Sequence, residues 1–144
     1  MDYAAYKDIN SKQLGKKKMA PGPLCKLCNT TPETPKHLCK DCLFTCTVWV
    51  QLVNWLNLHQ LPTNGSVSSI YRWWKKCRAM VVKESKSFFD GLIIYFWWNI
   101  WKERNRRTFI HEEKTMIEIT YLIKEDVQQF QQAIEVVNRI VPTS

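Results

Sequence analysis

Four cysteines and a histidine fall within eighteen residues, CKLCNTTPETPKHLCKDC, from Cys25 to Cys42. Thiolate and imidazole are the donors that hold a tetrahedral divalent metal, and four of them complete the shell. Cys25-x2-Cys28 is a well-formed half-site, with Asn29 behind it to tolerate the left-handed conformation such a knuckle often needs. The second half-site has two readings. Cys39 with Cys42 repeats the C-x2-C spacing, but no Gly or Asn follows Cys42, and the connecting run is short for a four-cysteine ribbon. His37 with Cys42 joins a residue early in a capped turn to one just before the next helix. Spacing favours Cys25, Cys28, His37 and Cys42, with Cys39 as the alternative to His37. One Zn2+ held this way leaves no position for water, so it is expected to be structural, with a binding free energy on the order of 10 kcal/mol coupled to folding.

Other chemistry is sparse. Four glycines supply no phosphate-cradling loop. His111-Glu112-Glu113 lacks a second histidine at helical spacing and reads as a solvated helix entry. Asp41, Asp90 and Glu103 are dispersed, with no oriented nucleophile beside them, so an enzyme is not expected. Cys46 and Cys77 lie on helical stripes and read as small core residues.

These donors need a scaffold. The chain has 144 residues, 45% of them apolar and 12% aromatic, enough for one domain with a modest core. An all-α domain is expected, a small zinc-stapled body of about four main helices, with no strand-type alternation and no internal repeat. Residues 1–22 read as a basic, flexible lead-in containing Lys16, Lys17 and Lys18, and 23–144 as the zinc-binding helical domain. Thr34-Pro35 starts a short turn carrying His37. Helices are expected over about 43–58, 70–82, 85–107 and 115–141, with a loop at Asn64-Gly65. The first carries the stripe Phe44, Val48, Leu52 and Trp55; the second carries Ile70, Trp74, Cys77 and Val81. The third is apolar nearly all round in its first half and should be central. Thr115-Met-Ile-Glu118 is a capping box, and a stripe from Met116 to Val141 follows it, expected to seal the domain's own core. Trp73-Trp74 and Trp97-Trp98 are adjacent pairs, and one stripe cannot bury both members of either.

The formal charge is +8, which favours an anionic partner, RNA or DNA first. Lys75, Lys76 and Arg78 form one candidate nucleic-acid-binding group; Lys102, Arg104, Arg106 and Arg107 form another. The plain alternative for the second is charge compensation at a helix C-terminus, with Glu103 pairing to Arg107. A protein partner or self-association through an uncovered apolar surface is the competing expectation. FFDGLIIYFWWNIW is too short and too interrupted to span a membrane, and the start shows no secretory pattern. The expected location is intracellular, nuclear or cytoplasmic, where clustered cysteines are more often ligands than disulfides.

Two blocks carry a family resemblance. CKLCNTTPETPKHLCKDC followed by Val48-Trp49 resembles the zinc-binding domain that follows the reverse transcriptase in plant non-LTR retroelements, and WWNIWKERNRRTF (97–109) is similar to the block that follows that zinc site. The likeness covers about residues 23–140. It implies ligation by Cys25, Cys28, His37 and Cys42, with Cys39 a bystander, and an auxiliary nucleic-acid-binding role in a retroelement-derived protein. Residues 1–22 carry neither the Pro-Pro-Lys-Val stretch nor the Phe-Leu-Trp block that precedes the site in that family, and no polymerase motif is present.

Overall fold

The computed structural model describes residues 22–64 and 67–141. The basic run Lys16–Lys18 lies outside them, as does Gly65 of the expected turn. Four α-helices form the domain: α1 (Leu43–Leu56), α2 (Ile70–Ala79), α3 (Lys86–Asn105) and α4 (Met116–Ile140). A π-turn, His37–Asp41, precedes α1; a short 3-10 turn, Lys83–Ser85, leads into α3; and a π segment, Arg106–Ile110, extends α3. No β-strand forms among the described residues, which hold one antiparallel bridge between Leu24 and Pro32. This is a small all-α domain. Among the described residues no helix is long and apolar enough to cross a membrane.

Local chemistry sets the helix ends. Asn57 takes a left-handed conformation after α1 (φ 56°), and the Leu58 N–H reaches back to the Val53 carbonyl at 3.0 Å, the pattern that satisfies the last carbonyls of a helix. Ser69 Oγ accepts the Arg72 N–H at 3.1 Å to start α2. Thr115 Oγ1 accepts the Glu118 N–H at 3.1 Å to start α4, as the capping pattern leads one to expect.

The core gathers around α3. Phe89, Leu92, Ile93, Phe96 and Ile100 are buried along it, against Val48, Trp49 and Leu52 of α1, Trp73 of α2, and Ile119, Ile123 and Val127 of α4. Trp49 makes an edge contact with Trp73 at 4.9 Å between centroids and a tilted one with Phe96 at 5.2 Å. Each tryptophan pair divides as adjacency on a helix requires: Trp73 is fully buried and Trp74 half-buried, while Trp97 is half-buried and Trp98 is exposed. The α2 stripe is therefore centred on Trp73 rather than on Trp74.

Gly91 brings α3 and α4 close together. A Cβ at this position would stand 2.2 Å from Phe130 Cε1, so the helix interior accepts a glycine to let that ring in. Asn99 adds a polar tie, its amide donating to Asp126 Oδ2 at 2.9 Å and to the Tyr95 carbonyl at 2.8 Å. The buried part of the α4 stripe ends at Val127, and Phe130 and Ile134 are half-buried. Beyond them Val136, Val137, Ile140 and Val141 are exposed, because α4 runs past the body it packs on.

Candidate metal centre

The first half-site is a folded knuckle. The Cys25 N–H donates to the Thr31 carbonyl and the Asn29 N–H to the Cys25 carbonyl, both at 2.8 Å. Asn29 sits at φ 56°, the left-handed position its side chain tolerates. The Leu27 N–H points at Cys25 Sγ (3.4 Å) and the Thr30 hydroxyl at Cys28 Sγ (3.3 Å).

The second half-site depends on the π-turn. Thr34 Oγ1 accepts the His37 N–H at 3.0 Å and opens the turn. The Cys42 N–H then closes on the His37 carbonyl at 2.7 Å, an i→i+5 bond. In an α-helix, positions five apart point about 140° away from one another. The wider turn brings them toward one side, which suits the x4 spacing between His37 and Cys42. Thr45 Oγ1 (2.7 Å to the Leu38 carbonyl) and Cys46 Sγ (3.0 Å to the Lys40 carbonyl) hold the turn against the start of α1.

The donor atoms of Cys25, Cys28, His37 and Cys42 all lie within 4.8 Å of one another. Cys25 and Cys42 sulfurs are 3.8 Å apart, and Cys28 Sγ is 3.3 Å from His37 Nε2. A tetrahedron with metal–sulfur bonds of about 2.3 Å has S···S edges of about 3.8 Å, and its S···N edges are slightly shorter. These two edges are near those of a coordination shell, and the four donors lie close enough together to hold a metal ion. It is also largely shielded, with Cys25, His37 and Cys42 buried and Cys28 half-buried. Cys39 is not in it. Burial pushes the Cys39 thiol up, and its backbone carbonyl accepts the Trp97 indole N–H at 3.2 Å.

The hydrogen bond with Cys42, then burial, push Cys25 far above the ordinary thiol range, and the same bond holds Cys42 below it. Burial would raise Cys28, but bonds from the Thr30 hydroxyl and N–H, with His37, outweigh it and leave that thiol low. Cys28 and Cys42 thus lose their protons more readily than Cys25, and a cation bound by all three sulfurs displaces the protons that remain.

The basic end of α3 clamps this loop. Arg104 grips Glu33 with two parallel hydrogen bonds of 3.0 Å. Arg107 Nη1 reaches the knuckle carbonyls of Lys26 (3.2 Å) and Leu27 (3.4 Å), and its Nη2 the Lys114 carbonyl (3.1 Å). Glu103, with no exposed surface, binds Arg106, Arg107 (2.7 Å) and the Lys114 N–H (2.9 Å). The i,i+4 pairing of Glu103 with Arg107 was visible in the sequence. The role of Glu33 and the reach of Arg107 to the knuckle were not, since neither is local.

The seven candidate nucleic-acid contacts therefore divide. Arg104, Arg106 and Arg107 do not line a common outer face; they are engaged by internal carboxylates and carbonyls. Arg78 forms a two-bond pair with Asp90 (2.9 and 3.2 Å) and lies over the Trp74 ring. Lys75 sits over Tyr71, Lys102 sits over Trp98, and Lys76 is exposed; among the described residues none of these three lysines has an ion pair. No family model, curated protein or solved structure matches the chain. Fold and site together define a small all-α domain with a cluster of three cysteines and one histidine able to hold a metal ion.

Proposed function

We propose that this is a structural-zinc domain of the kind that follows the reverse transcriptase in plant non-LTR retroelements, acting as a sequence-tolerant auxiliary that binds nucleic acid. The observation that carries the zinc assignment is the convergence of three sulfurs and one imidazole within 4.8 Å of one another. Thiolate and imidazole donors in that geometry suit Zn2+, and four protein ligands leave no open position for chemistry. The proposed role is accordingly non-catalytic. The two blocks that carry the family resemblance touch each other through Glu33 and Arg104, which supports reading them as one unit.

The nucleic-acid reading draws on the net charge of +8 and on Lys75, Lys76 and Lys102, whose ammonium groups no carboxylate neutralises among the described residues. A titration of labelled RNA and DNA at increasing salt tests it: affinity should fall steeply between low and moderate ionic strength. A second reading, a protein-interaction module, is favoured by the exposed apolar end of α4. Absence of nucleic-acid binding at low salt, with salt-insensitive dimers on a sizing column, would replace the first reading with the second.

A further inference from the structure

We propose that the groove between the end of α3 and the π segment is a base-stacking platform for single-stranded nucleic acid. The inference rests on the nucleic-acid reading above and adds a site and a strand preference to it.

Trp98 and Trp101 stand three apart on α3, so their rings share one side of the helix. They are 52% and 45% exposed, and Phe109 on the π segment is 63% exposed. With Lys102, Asn105, Arg106 and Ile110 they line an open groove of about 280 Å3. That is below the roughly 300–1,000 Å3 of a pocket that encloses a small molecule, and its open shape suits a chain laid across it.

Cations sit against the rings. The Arg104 guanidinium lies 5.3 Å from the Trp101 centroid and 5.9 Å from that of Phe109, and Glu33 fixes it there. The Lys102 ammonium is 5.7 Å from the Trp98 centroid. Each ring remains substantially exposed beside its cation, and these contacts favour its orientation before any ligand arrives.

Charge selects the occupant. Lys102 is the groove cation with no ion pair among the described residues, since Arg106 is engaged by the fully buried Glu103, and no carboxylate is among the lining residues. Exposed aromatic rings beside the Lys102 ammonium match a polyanion that carries flat bases, with bases on the rings and a phosphate on Lys102. In a duplex those base faces are covered by their stacked neighbours, so a single strand is the form that fits. A purely apolar partner would find a better surface on the exposed end of α4, which carries no such pairing of ring and cation.

The test is fluorescence anisotropy of the zinc-loaded full chain with a labelled oligouridine of about 12 nucleotides and with a duplex of equal length. The single strand should bind more tightly. Trp98→Ala and Trp101→Ala should each weaken it by at least about fivefold, the lower end of a lost base–aromatic stack. Trp98→Phe and Trp101→Phe should retain most of the affinity, and the melting temperature should hold in all four variants because the rings are at the surface. Equal binding of duplex and single strand, unaffected by either alanine variant, overturns the platform and leaves the broader reading standing. No binding of either form at low salt overturns both, and a concentration-dependent dimer abolished by Trp98→Ala would assign the groove to a second copy of the chain instead.

Discussion

Arg104 and Glu33, 71 positions apart in the chain, meet in a two-bond ion pair that ties the last turn of α3 to the loop between the two halves of the metal cluster. The arginine side chain is 8% exposed and the glutamate 20%. Removing one partner of a pair this deep leaves an uncompensated charge, at about 3–5 kcal/mol. Arg104→Met should therefore destabilise the domain by an amount of that order. Arg104→Lys should fail to restore it, since an ammonium cannot make the paired bonds. Denaturant melts of the single variants and of the double variant with Glu33→Gln measure this, and the double should be less impaired than the sum of the singles.

The ligand set makes a second prediction. Cys39→Ser should retain one metal per chain, because its thiol lies outside the cluster and is held protonated by burial. His37→Ala and Cys42→Ser should lower metal affinity sharply, each by removing a donor. Metal analysis of the purified variants after competition with a chelator of known affinity separates them.

Gly91 gives a third. The alanine Cβ would collide with the Phe130 ring, so Gly91→Ala should destabilise by about 1–3 kcal/mol despite its better helix propensity. Combining it with Phe130→Leu should recover part of the loss. Thermal melts of the two singles and the double test the contact.

Cys77 predicts a pH dependence. Burial pushes its thiol from an ordinary 9.0 up to about 12. The folded state thus keeps a proton that the unfolded chain releases, and the stability present below pH 9 declines as pH rises toward 12. Cys77→Ala should be the less stable protein at pH values near neutral, from lost packing, and the gap should narrow above pH 9. Chemical melts of both proteins across that range are the measurement; a gap constant with pH would count against the assigned shift.

Much of this architecture is local and could be read from residue order. The four helices stand where their apolar runs lie, though α2 buries Trp73 rather than Trp74, and the Thr115 cap and the knuckle with Asn29 behind it need only near neighbours. Three features did not show. The π-turn at His37–Asp41 has no periodic signature, since it answers to the joint demands of the cluster and α1. The arginines of KERNRR look like a solvated helix end, because the carboxylate that claims Arg104 is remote in sequence. The α4 stripe continues in the sequence to Val141, but the body it packs on ends earlier, and no local pattern encodes where a partner surface stops.

The central claim is that one divalent ion, gripped by Cys25, Cys28, His37 and Cys42, staples a loop with little apolar material to the helices. Metal content with chelator-induced unfolding, followed by circular dichroism, tests it most directly. The account predicts one zinc per purified chain and loss of the cooperative melt on chelation, regained when zinc is restored. A chain purified without metal, or one whose spectrum and melting curve stay unchanged in chelator, would contradict it.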